Sequence, residues 1–389
     1  MLKNIPFLCL NLIIGFSCWA QQPAGSVSIT APSVGNASLK EEPIHVSAEG
    51  FSLDKKIGQM VLIGLDGNAF LKGDKLLKEI KEGKVGGVVL YEKNIAPAYS
   101  KVTLQKLIAD MQEKSEIPLF ISIDEEGGKV HRLKEKYGFF SMVSAAYLGK
   151  LDNRDSTYFY NLKLAGLLKE LGINLNYAPT IDVALNKDNP VIAKIERSFS
   201  ADPDLVTKHA KACIDAHHAH GVKTIIKHFP GHGSSAHDTH LGIANVTNQW
   251  KIIELMPFRD VIQSGKADAV MTAHIVNCHL DLDCLPATLS KTVITGMLRN
   301  LLQFNGVVFS DDMQMHAISQ QYGTEKAVKM AIEAGVDVIM FANNVGKERI
   351  SASEVHSIIR KLVDNGEISE ERINESFERI QVLKNKKVN

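Results

Sequence analysis

The chain is 389 residues long and carries 44 Lys and Arg against 44 Asp and Glu, so its formal charge at neutral pH is zero. Such a balance offers no electrostatic footprint for nucleic acid or for an anionic membrane surface. With 45% hydrophobic residues, 28 Gly and only 12 Pro, the sequence is neither disordered nor fibrous and can fill a large core.

The first element in chain order is an apolar run, Ile5 to Phe16, behind Lys3 and ahead of small residues at Cys18 and Ala20. It reads as a secretory signal over residues 1–20, because it falls well short of the roughly 20 apolar residues that a spanning helix needs. Lipid attachment at Cys18 ranks below simple cleavage, since Gly15-Phe16-Ser17-Cys18 matches poorly the Leu-small-small-Cys pattern of bacterial lipoproteins. The expected location is therefore outside the cytoplasm, periplasmic or secreted, with no stable membrane span. Residues 21–50, rich in Ser, Gly and Pro and without apolar periodicity, read as a polar tether, so one folded domain is expected over 51–389. In an oxidising compartment Cys278 and Cys284 are near enough in sequence to suggest a disulfide, and Cys213 should remain a buried thiol.

Beyond Phe51, short apolar runs alternate with amphipathic stretches. The runs are Gln59 to Gly64, Val85 to Tyr91, Pro118 to Asp124, Leu175 to Pro179, Val222 to Lys227, Ala269 to His274, Gly306 to Ser310 and Val336 to Phe341. Helical patterns lie between them, among them Ser100 to Lys114, Tyr158 to Leu171, Asp204 to His220 and Leu289 to Leu302. Eight β-α units predict an α/β fold, a single (β/α)8 barrel of the TIM type, in preference to a doubly wound open sheet. No glycine-rich phosphate fingerprint follows the first run, which counts against dinucleotide binding.

In a barrel the chemistry sits where the strands end. Asp124, Asp182, Lys227, His228, His274, Asp311 and Asp312 all fall at such ends. Some would merely cap loops, but carboxylates and histidines from five strands suggest a shared site. The segment Lys227-His228-Phe229-Pro230-Gly231-His232-Gly233, continuing to Asp238-Thr239-His240, has the composition of a mobile loop. Asp238 and His240 lie two apart, so the carboxylate could bond one imidazole nitrogen and raise the basicity of the other. A solvated surface ion pair is the plainer alternative. The local density of histidine also raises a zinc reading, which ranks lower for want of a helical His-Glu-x-x-His or a strand-end His-x-His. Asp311, directly after an apolar strand, could attack an electrophilic carbon or stabilise positive charge. Asp312 points elsewhere by strand alternation and should support the loop.

These two segments, with Ile123-Asp124-Glu125-Glu126-Gly127-Gly128, Arg132 and Glu196-Arg197-Ser198-Phe199, resemble family 3 glycoside hydrolases of the β-N-acetylglucosaminidase type over roughly residues 51–385. The resemblance implies a retaining β-N-acetylhexosaminidase with Asp311 as nucleophile and Asp238 with His240 as the acid/base pair. Asp124, Arg132, Arg197, Lys227 and His228 would grip the sugar, and no metal or organic cofactor would be required. Thr239 stands where the family usually has Ser, and Val191-Ile192-Ala193-Lys194-Ile195 lacks the usual Gly before Arg197. Larger relatives that are β-glucosidases or xylosidases take their acid from a second domain. Here the acid is expected from the barrel, which favours β-linked N-acetylglucosaminides from cell-wall fragments or chitooligosaccharides. A metallohydrolase, or a β-glucosidase or phosphorylase variant of the same family, remains the alternative.

Overall fold

The computed structural model describes residues 47–239, 242–344 and 348–388. The expected signal and nearly all of the expected tether lie outside the described residues, as does His240. Folded structure starts with the helix Leu53–Gln59, capped by the Ser52 side chain, and Phe51 packs against Phe377 with ring centroids 4.9 Å apart.

Eight parallel strands follow: β1 Val61–Gly64, β2 Gly87–Leu90, β3 Phe120–Ile123, β4 Leu175–Asn176, β5 Lys223–Phe229, β6 Ala269–Thr272, β7 Val307–Phe309 and β8 Ile339–Phe341. They pair in chain order, and β8 also pairs with β1. The last gap is bridged where Phe309 pairs with Val338, with Val338 N–H donating to Val308 O at 3.0 Å. The apolar runs thus form one (β/α)8 barrel. Every residue of these strands is buried, and a layer of helices on the outside explains why the runs are continuously apolar rather than alternating.

Two elements depart from the sequence expectation. The fourth run contributes only Leu175–Asn176 to the ladder, because Pro179 has no N–H to donate; contact resumes where Ile181 N–H reaches Lys227 O at 2.8 Å. The helical pattern at Leu289 to Leu302 is a π-helix over Thr292–Leu301. The other patterns hold with small shifts, such as Pro203–His218, where Asp202 caps the helix and Pro203 opens it. Outside the barrel sheet, Ala244–Asn245 and Ile275–Val276 form a two-stranded parallel ribbon. Cys278 and Cys284 form a disulfide, and Cys213 is a buried thiol. Among the described residues no helix is long and apolar enough to cross a membrane.

At the end of the barrel opposite the strand C-termini, the helix Glu370–Asn385 closes the structure with buried charge. Asp337, fully buried just before β8, meets Arg299 at 2.6 Å, Arg379 at 3.1 Å and Arg372 at 3.3 Å. Burial opposes its ionisation, yet the three guanidinium groups outweigh that and hold its carboxyl below the usual carboxylate range. Removing one member of such a cluster strands the others. Asp337→Ala should therefore lose about 3–5 kcal/mol in urea denaturation. A loss below about 1 kcal/mol would show that the three arginines find other partners.

Candidate active site

The strand C-termini surround a cavity of about 310 Å³. Of the residues singled out by sequence, Asp124, Arg132, Arg197, Lys227, His228, Asp238 and Asp311 all line it. They come from the ends of β3, β5 and β7 and from the loops after β3, β4 and β5.

One wall is a continuous ionic network. Asp124, the first residue beyond β3, accepts from Lys227 Nζ at 2.6 Å and from Arg132 Nη2 at 3.1 Å. Lys227 Nζ also lies 2.5 Å from Glu126 Oε1. Glu126 in turn is clamped by Arg197 through Nε to Oε2 at 2.9 Å and Nη2 to Oε1 at 2.7 Å. Arg197 Nη2 lies 3.2 Å from His228 Nε2, and His228 Nδ1 lies 2.7 Å from Asp182 Oδ2. Arginine only donates, so His228 accepts at Nε2 and donates from Nδ1 to Asp182.

The electrostatics follow from this connectivity. Burial would raise the Glu126 pKa, but Arg197 and Lys227 overcome it and hold the carboxyl far below its ordinary value. Burial works against Asp182 as well, and His228 overcomes it, so Asp182 too is lowered. Asp182 also accepts the backbone N–H of His232 at 2.7 Å, which fixes the root of the loop after β5. His232, buried there, is pulled down to about 4, chiefly by desolvation.

Arg197 is delivered by a loop that lacks the glycine usual in the resembled family. Asn189, fully buried, supplies the constraint instead: its Oδ1 accepts from Val191 and Ile192 N–H, each at 2.9 Å, and its Nδ2 donates to His232 O at 2.7 Å. Arg197 Nη1 then donates to Val191 O at 2.9 Å, and Glu196 before it takes a left-handed conformation with φ 61°.

Asp311 stands just past β7 and accepts the N–H of Asp312 at 2.8 Å. Asp312 behaves as a loop support: its Oδ1 accepts from Ala342 N–H at 3.0 Å and from Gln314 N–H at 3.1 Å. His274 is structural as well, with Nδ1 2.8 Å from Thr288 Oγ1 and Nε2 3.0 Å from Asp312 O. Asp238 reaches the cavity from the loop after β5, while its proposed partner His240 lies outside the described residues.

Sequence reasoning missed Glu126 as a site residue and gave Asp182 no partner. The alternation that brings i and i+2 to one side was the available signal, since Asp124 and Glu126 stand two apart beyond an apolar strand. Two further buried carboxyls lie behind the residues that line the cavity. Glu125 Oε2 accepts from the backbone N–H of Arg132 at 2.7 Å and of Leu133 at 3.1 Å, and burial pushes its carboxyl up to about 7. Glu254 accepts from Ser234 N–H at 3.2 Å and Lys251 N–H at 3.4 Å, and burial, with Asp182 nearby, raises it to about 7 as well.

Charged and hydrogen-bonding groups gathered at the strand ends of a (β/α)8 barrel define an active site of the barrel-enzyme kind. The family model for the glycosyl hydrolase family 3 N-terminal domain matches residues 52–383, and the chain belongs to that family. It is 33% identical over 338 residues to a protein named beta-hexosaminidase A from Pseudoalteromonas piscicida, covering 80% of this chain and 55% of that protein. Against a beta-hexosaminidase from Tolumonas auensis it is 35% identical over 270 residues, covering 68% and 78%. The structure of a glycoside hydrolase family 3 beta-N-acetylglucosaminidase from Paenibacillus sp. str. FPU-7 superposes with a TM-score of 0.78 at 35% identity, covering 86% of this chain and 62% of that one. The chain thus spans little more than half the length of the first of these relatives.

The Glu254 carboxyl gives a pH test. A carboxyl raised on folding contributes fully below its ordinary value of 4.5, and the contribution is lost as pH rises through about 7. Glu254→Gln has no such proton to lose. Its stability relative to the native protein should therefore rise between about pH 5 and pH 8, by on the order of 1–3 kcal/mol in denaturant titrations. A difference that stays flat across that range would show Glu254 to be ionised throughout.

Proposed function

We propose that the protein is a retaining exo-β-N-acetylglucosaminidase that releases terminal N-acetylglucosamine through a glycosyl-Asp311 intermediate. The observation that carries this reading is the single cavity lined by both Asp311 and Asp238, with the ionic wall from Asp124 to His228 beside them. At about 310 Å³ it lies at the small end of the roughly 300–1,000 Å³ range of ligand sites, which suits one terminal sugar. The family and the named relatives support the same chemistry.

In the first step an Asp311 carboxylate oxygen attacks C1 while His240, protonated and steadied by Asp238, gives its proton to the departing glycosidic oxygen. In the second step neutral His240 takes a proton from water, and the oxygen of that water displaces Asp311 from C1, restoring the anomeric configuration. Asp124, Arg132, Arg197, Lys227 and His228 hold the ring hydroxyls and the acetamido group. Their mutual ion pairs fix them before substrate arrives, so little reorganisation accompanies binding. An exported enzyme of this kind would act on peptidoglycan fragments or chitooligosaccharides.

Purified protein assayed with chromogenic β-N-acetylglucosaminide and β-glucoside tests the reading directly. The first should be cleaved far faster, and Asp311→Asn should lower kcat by on the order of 10³ or more. Added phosphate should leave the product as free sugar, and chelator should leave the rate unchanged. Preference for the glucoside, or Asp311→Asn at the native rate, would sink the assignment.

A further inference from the structure

We propose that the Cys278–Cys284 disulfide is a positioning element for proton transfer: it steadies the segment that anchors the exit of the Asp238 loop. This rests on the reading of Asp238 and His240 as the proton-transfer pair.

The loop after β5 is held differently at its two ends. Its entry is bound to the barrel: His232 N–H donates to Asp182, His232 O accepts from Asn189, and Ser234 N–H donates to Glu254. A methyl group on Gly233 would come within 1.7 Å of Val183 O, so the chain there lies directly against the loop after β4. Its exit is bound to the segment following β6. Ala244 and Asn245 pair in parallel with Ile275 and Val276, and Val246 N–H donates to Val276 O at 2.8 Å. Cys278 N–H donates to Thr247 Oγ1 at 2.9 Å. Asp238 lies between these two anchorages.

The exit is also packed, with Ala244 and Val246 fully buried in the core and Trp250 Nε1 donating to Pro230 O at 3.2 Å, while its link to Cys278 runs through a turn outside the barrel sheet. Leu280 and Asp281 N–H both reach Asn277 O at 3.0 Å, and Cys284 N–H reaches Asp281 O at 2.9 Å. Asp281 is bonded to Ser290 at the start of the next helix. The disulfide closes the same turn from Cys278 to Cys284. It contributes little to a core, for Leu282 at the tip is 92% exposed and Cys284 is exposed in the left-handed region at φ 54°. Its effect therefore falls on its neighbour: Cys278 is both the cross-linked residue and the donor to Thr247. Opening the cross-link returns conformational freedom to the turn and, through the Cys278–Thr247 bond and the ribbon, to the exit beyond Asp238.

General acid assistance matters for poor leaving groups and hardly at all for good ones, which gives a readout that simple destabilisation would not produce. The test compares kcat/KM on phenyl and 2,4-dinitrophenyl β-N-acetylglucosaminides. The proteins are the native enzyme, the same enzyme reduced with a trialkylphosphine and then reoxidised, the Cys278→Ser/Cys284→Ser double variant, and Thr247→Val, which keeps the disulfide. Circular dichroism confirms folding; should the double variant fail to fold, the reduced enzyme and Thr247→Val carry the test. Loss of the disulfide should lower the rate on the phenyl glycoside by about tenfold or more and on the dinitrophenyl glycoside by less than about twofold, with recovery on reoxidation. Thr247→Val should shift the same ratio in the same direction. Equal losses on both substrates, or none on either, overturn the proposal. His240→Ala run alongside separates the two claims. If it lacks the leaving-group dependence, the acid assignment falls; if it shows the dependence and the reduced enzyme does not, the positioning role alone falls.

Discussion

Glu126 is the pivot of the site. It is a carboxylate taken out of water and shared by two cations, Arg197 in a forked pair and Lys227 as a point charge. Removing an ion from water costs several kcal/mol, and only close, hydrogen-bonded partners offset it. Neither cation is adjacent in sequence: Arg197 follows β4, and Lys227 lies in β5. The pairing therefore requires β3, β4 and β5 in register, so the ionic wall forms only with that part of the barrel. His228 and Asp182 extend the chain on one side and Asp124 with Arg132 on the other, so no charge in the wall is left to its own desolvation.

A wall built this way suits recognition of a neutral sugar. Glu126 and Asp124 already hold Arg197 and Lys227 in place. A network whose charges balance one another still offers donors and acceptors at fixed positions. The tautomer of His228 belongs to the same logic. Asp182 accepts from Nδ1, which leaves Nε2 to meet Arg197 and joins the ring to the wall at both nitrogens.

The fold was legible in the sequence because parallel barrel strands are buried on both faces and leave uninterrupted apolar runs. All eight runs become strands, and what blurred was local: Pro179 shortened β4, and nothing in the pattern from Leu289 marked a π-helix. The site was legible where one residue announces itself at a strand end, as Asp124, Lys227 and Asp311 do. It was not legible where a role depends on a partner far along the chain. Glu126 reads as one more acid in Asp124-Glu125-Glu126 until Arg197 is placed against it. Asn189, which lets the loop present Arg197 without the usual glycine, carries no signal in a single sequence, because its bonds are to the backbone of its own loop and of the next one.

The two functions proposed for the cavity rest on different supports. Sugar recognition sits on strand ends and on loops whose buried polar groups are tied into one network, and displacing any member would expose a charge to apolar surroundings. Proton delivery, on the proposed reading, sits on a loop whose entry shares that network through Asp182 and Glu254 and whose exit pairs with a short ribbon outside the barrel sheet. On the proposed mechanism the acid also acts as base in the second step, so it has to serve two geometries, first toward the leaving oxygen and then toward a water molecule. On the proposed reading the cross-link at Cys278 limits the movement of that loop without placing another charge in the cavity.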